Sequence, residues 1–115
     1  MTVGNYGLVA KPGDSPKAWA DAMVTWLPGL AAVVGAPTGG ARAPGFHIEG
    51  PWLNWDAWVA WGAREASGRS AILPEWDDFA RLQQAAAGTI RIVSAAPEFP
   101  GALDFIAQVA DSGVV

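Results

Sequence analysis

The single histidine of this 115-residue sequence stands two residues before a glutamate, in the string "GFHIEGPWLNW" from Gly45 to Trp55. On a β-strand, residues two apart share a face, so His47 and Glu49 project together. Imidazole and carboxylate are both ligands for hard or borderline divalent ions. A carboxylate placed straight after an apolar strand is costly unless its charge is met. A metal, a lysine or arginine, and water would each meet it, and the two-residue spacing leaves all three open. The alternative is a hydrogen-bonded wall histidine beside a solvated glutamate. Glu98 ends a later strand at the same relative place, as a second site residue or, more simply, as a cap for the next helix. Asp77 and Asp78 match the positive end of a helix. No nucleophilic triad or Cys–His pair can be assembled from one histidine and no cysteine. The glycines of "PTGGARAPG" match neither a Walker A loop nor a dinucleotide fingerprint.

Alternating strands and helices must position these groups. Residues 6–10, "YGLVA", read as a strand closed by turn formers. Ser15 and Pro16 then open a helix as N-cap and first residue. Trp19, Ala22, Met23, Trp26, Leu27 and Leu30 form its apolar stripe. Pro28 is expected to kink or end its first part. A Gly/Pro-rich linker leads to a strand at Phe46–Glu49. Trp52, Trp55, Trp58 and Trp61 follow at intervals of three, along one side of a helical turn. That side serves as a packed face, a sugar-stacking surface or a protein interface. "PEWDDFARLQQAAAG" is the clearest helix, with Trp76, Phe79 and Leu82 inward and Gly88 as its stop. Thr89–Glu98 reads as a strand, residues 100–113 as a helix, and Val114–Val115 as the start of another strand. This alternation predicts an α/β fold of parallel βαβ units. The competing architectures are a small doubly wound sheet and part of a (β/α)8 barrel, which takes about 250 residues when complete.

Composition narrows the partners. The net charge is −4 and no Lys/Arg cluster occurs, so a nucleic-acid partner is not expected. Without cysteines there are no disulfides or thiolate metal sites. The N-terminal residues lack the pattern of a secretory signal, and the apolar region 22–37 is too broken to span a bilayer. A soluble, cytoplasmic protein without a membrane segment is expected.

The longer string is more specific than its His-x-Glu core. "GFHIEGPWLN" closely resembles the G-x-H-x-E-G-P-[FW]-[IL] signature of the N-acetylglucosamine-6-phosphate deacetylases, a family of the amidohydrolase superfamily. "WGARE", Trp61–Glu65, is similar to the family's K/R-G-[AT]-H element. The sequence from Leu73 to Val115 follows the family's helix, V-T-L-A-P-E strand and next helix. The resemblance covers residues 40–115 by sequence and residues 1–39 by the order of elements.

It implies that residues 1–115 form part of one (β/α)8 TIM-type barrel domain, about three to four βα units, with a metal at the C-terminal strand ends. The implied reaction is hydrolysis of the acetamide of N-acetylglucosamine 6-phosphate to glucosamine 6-phosphate and acetate. Glu49 then matches the carboxylate ligand of a divalent ion, zinc or iron, and His47 supports it from behind or is structural. Trp52, Asn54 and Arg64 fall at substrate-binding positions. Arg64 replaces a histidine there, and its guanidinium can hold an anion but cannot accept a hydrogen bond as neutral imidazole does. The family's H-x-H strand, later histidine ligands and aspartate acid/base are not among these residues. A mononuclear hydrolytic site needs about three protein ligands, so this chain alone is expected to be inactive, completed by a missing barrel half or a homo-oligomer. The rival readings are a non-catalytic sugar-binding or interaction protein, and a truncated product with exposed strand edges.

Overall fold

The computed structural model describes residues 2–4, 16–37, 39–40, 42–49, 51–62 and 71–115. Three strands, β1 (Thr2–Gly4), β2 (Phe46–Glu49) and β3 (Ile90–Ser94), pair in parallel in the order β1-β2-β3. The helices are α1 (Pro16–Ala31), α2 (Trp55–Ala60), α3 (Trp76–Ala85) and α4 (Ala102–Asp111). Among the described residues, spatial order equals chain order. Val115 extends the series beyond β3: its N–H donates to Arg91 O at 2.9 Å, and its carbonyl accepts from Val93 N–H at 2.7 Å. These two bonds follow the pattern of a parallel ladder, as the apolar pair at 114–115 predicts.

The strands alternate as a half-buried sheet should. Phe46 and Ile48 are buried and pack with Trp19, Met23 and Leu27 of α1, Phe79 and Leu82 of α3, and Phe105 of α4. Burying each such side chain is worth about 1.5–3 kcal/mol, so this layer of helices fixes which face β2 turns inward. His47 and Glu49, on the opposite face, stay half-buried.

Several sequence expectations shift. A strand is found at Thr2–Gly4, while residues 6–10 lie outside the described residues, as does Ser15. Pro28 does not end α1, which runs on to Ala31. An internal proline costs about 3 kcal/mol, but Leu27 is fully buried and Leu30 and Ala31 continue to pack on the core. Pro28 O still accepts the Ala32 N–H at 3.3 Å. β3 stops at Ser94, short of Glu98, because the Ala96 N–H turns away to Trp52 O at 2.7 Å. Beyond α3, Gly88 has the expected positive φ of 73°, and its N–H closes on Gln83 O at 2.9 Å. The preceding Ala87, at φ 51°, also takes the left-handed conformation that glycine usually fills.

Gly45, the first letter of the signature string, serves the strand pairing. A Cβ there would collide with Arg91 Cγ and lie 2.5 Å from Thr89 O. The same carbonyl receives the Phe46 N–H at 2.9 Å, next to a register irregularity between Phe46 and His47. Only glycine permits this approach. Gly45→Ala is expected to destabilise the fold by about 1–3 kcal/mol, read from urea unfolding. An unchanged midpoint would show that the two strands can separate without loss.

Candidate functional site

The C-terminal ends of the strands gather the polar side chains. Glu49 sits on the last rung of the sheet, paired with Gly4 of β1 and Ser94 of β3. His47, one step back on the same face, places Nε2 2.8 Å from Ser94 Oγ. That bond crosses from β2 to β3 and holds the imidazole against the sheet. Ser94 carries no local sequence signal, since its partner lies 47 residues away; only the strand register brings the two together.

After Pro51 the chain enters α2 through a cap. Asn54 Oδ1 accepts the Ala57 N–H at 3.1 Å, and its Nδ2 donates to Glu98 Oε1 at 2.8 Å. Both ends of this amide are therefore used in tying the β2–α2 loop to the segment after β3. Glu98 does not cap α4: the N-cap is Gly101, which receives no side-chain bond. The Asn54 hydrogen bond, followed by that of its own backbone N–H, lowers the Glu98 carboxyl below its ordinary value of 4.5.

This coupling has a pH signature. A depressed carboxylate stabilises the fold above its unfolded pKa, and the contribution is lost as pH falls through the folded value. Asn54→Ala is expected to cost about 1 kcal/mol of helix capping and to raise the Glu98 pKa, followed by carboxylate NMR. The stability gap to the parent should be widest near neutral pH and narrow in acid. An unmoved Glu98 titration would refute the coupling.

The four tryptophans do not form one stripe, because the helix begins only at Trp55 and α2 spans six residues. Trp52, ahead of it, is 0% exposed and meets Trp19 edge-on at 5.8 Å and Phe105 at 4.8 Å between ring centroids. A ring so enclosed has no face for a substrate, which corrects the expectation of Trp52 as a binding residue and places it in the core. Trp55 is buried with Leu53 in a small separate cluster, against which Trp58 packs. Trp61 is 81% exposed. Steps of three residues rotate 300° around a helix, so the row drifts by 60° at each step and leaves the core. Arg64 lies outside the described residues.

Among the described residues, no group of three or more His, Cys, Asp and Glu side chains is gathered closely enough to hold a metal ion. His47 already shares its Nε2 with Ser94. The described residues thus place Glu49 on a wall and do not by themselves fit a divalent ion. No described helix is long and apolar enough to cross a membrane.

Solved structures contain a similar wall. The chain superposes along its whole length on N-acetyl-D-glucosamine-6-phosphate deacetylase from Mycobacterium smegmatis, with 30% identity and a TM-score of 0.66, covering 25% of that enzyme. The resemblance to the N-acetylglucosamine-6-phosphate deacetylases holds in three dimensions. An aspartate-to-alanine variant of the M. smegmatis deacetylase, in complex with N-acetyl-D-glucosamine-6-phosphate, matches 99% of this chain at 31% identity and a TM-score of 0.65. The chain spans about a quarter of each deacetylase it matches. No protein-family model and no curated protein matches the sequence.

Proposed function

We propose that this chain is one arc, about three to four βα units, of a (β/α)8 deacetylase barrel that hydrolyses the acetamide of N-acetylglucosamine 6-phosphate. The observation that carries this reading is the match of the entire chain to one quarter of such an enzyme, with Glu49 on the last rung of the parallel sheet. Sites in parallel α/β folds are built at that end of the strands. The reaction adds water across the acetamide, breaks the C–N bond, and yields acetate and the free amine.

In this reading Glu49 contributes one anionic ligand to a divalent ion, whose remaining ligands come from outside the described residues. The His47–Ser94 bond keeps the imidazole on the sheet face behind that carboxylate. The Asn54–Glu98 bond fixes the loop that follows it. Asn54, with both ends of its amide occupied, orders that loop and contacts substrate only through the edges these bonds leave open. Arg64 is the candidate for holding an anionic substrate group. A cytoplasmic enzyme acting on an amino-sugar phosphate follows.

The test is acetate release from N-acetylglucosamine 6-phosphate by the full-length protein supplied with zinc or iron. Metal-dependent release supports the assignment. A folded, metal-loaded protein that releases none overturns it and favours a non-catalytic descendant of the fold.

A further inference from the structure

Just after Glu49 the chain drives a tryptophan inward. Pro51 and Trp52 are both fully buried. The Leu53 N–H donates to Pro51 O at 2.7 Å, closing a three-residue turn with Trp52 at its centre. The Trp52 ring lies edge-on to Trp19 of α1, with centroids 5.8 Å apart, and tilted against Phe105 of α4 at 4.8 Å. A rigid indole enclosed on both sides has one resting place.

The backbone of the same residue reaches the neighbouring loop. Trp52 O accepts the Ala96 N–H at 2.7 Å, just past the end of β3 at Ser94. Asn54 Nδ2 adds a second tie, to Glu98 Oε1 at 2.8 Å. Trp52 and Asn54 thus fasten the loop after β2 to the loop after β3, and the Trp52 ring fastens both to the helices behind the sheet. Glu49, on the last rung of β2, leads directly into this clamp. A site group is effective only when packing locks its supports to within about 0.5 Å.

We propose that Trp52 is a positioning residue: buried and out of reach of substrate, it sets where the Glu49 carboxylate stands against the loop after β3. Its bearing on turnover rests on the deacetylase reading. Burial alone would make Trp52 a stability residue; the turn and the Ala96 bond make it a link between two strand ends.

The experiment compares Trp52→Leu and Trp52→Phe with Leu82→Ala in the full-length protein. Leu82 is fully buried in the same core, on α3, and supplies a destabilised control away from the clamp. Acetate release from N-acetylglucosamine 6-phosphate gives kcat and KM. Amide hydrogen exchange is read in EDTA-treated protein, and urea unfolding gives stability. Trp52→Leu should lower kcat about 10–100-fold, as loss of a group that orients a site residue does, with KM little changed. Protection of the Ala96 amide should fall with it. The Trp52 carbonyl is present in every variant, so that loss reports a displaced turn. Trp52→Phe, which refills the space between Trp19 and Phe105, should restore both. Leu82→Ala should lose stability and keep kcat. If Trp52→Leu does not fold, Phe105→Leu, which withdraws the support from α4, takes its place with the same expectations. Parental kcat in Trp52→Leu, an equal fall in Leu82→Ala, or no recovery with phenylalanine would overturn the proposal. If the parent releases no acetate, the deacetylase reading fails by itself. Exchange then decides: unchanged Ala96 protection in Trp52→Leu overturns the positioning role, and lost protection upholds it.

Discussion

Glu49→Gln in the full-length protein is expected to lower its affinity for zinc or iron by more than about 100-fold, while Glu98→Gln leaves it unchanged. Loss of a residue that only orients a metal ligand costs about 10–100-fold, and removing the charged ligand itself should exceed that. Glutamine keeps the size of the side chain and one carbonyl oxygen but carries no charge. Phe46 and Ile48, buried on either side of His47, hold the strand so that position 49 stays on the open face. Glu98 is committed to Asn54 on the far side of the loop, so its neutralisation should not reach the ion. Chelator competition measures both affinities, and turnover should fall with metal occupancy. Equal losses in the two variants, or none in either, would sink the assignment of Glu49 as a ligand.

Trp52→Ala is expected to destabilise the fold by about 3–5 kcal/mol, the cost of emptying a large aromatic site. The ring touches both Trp19 and Phe105, so it joins α1 to α4 beneath the loop that follows Glu49. Trp52→Phe should cost far less, about 1.5 kcal/mol or below. The reason is that the buried Trp52 Nε1–H has no hydrogen-bond partner among the described residues. An unmet buried donor costs about 1–3 kcal/mol, and phenylalanine removes that donor while keeping most of the packing. The Trp52 carbonyl, which accepts from Ala96 N–H at 2.7 Å, is untouched by either change. Urea unfolding distinguishes the cases. Similar costs for alanine and phenylalanine would show that the indole N–H is needed.

Periodicity was legible where burial has a single direction. Phe79 and Leu82 in α3, and Phe46 and Ile48 in β2, repeat at the spacing of their element, and the same helix–sheet layer buries them all. Parallel alternation followed, and the observed order β1-β2-β3 agrees with it. The tryptophan row was misleading because its regular spacing crosses a boundary. Asn54 starts the helix after Trp52 has already entered the core. At Pro28 only the ending of the helix failed to appear, since packing on both sides of it carries α1 on to Ala31.

By itself the sequence determined the position of Glu49 and His47 on one strand face, the acidic charge that disfavours nucleic acid, and the family resemblance carried by "GFHIEGPWLN". These depend on residue type and on neighbours within a few positions. Tertiary structure alone decided that His47 meets Ser94, that Asn54 meets Glu98 rather than open solvent, and that Gly45 is required for close strand approach. It also divided the tryptophans between core and surface. Each of these pairs residues more than 40 positions apart, or depends on which side of an element the core lies. Local spacing carries no such information; strand register and helix packing supply it.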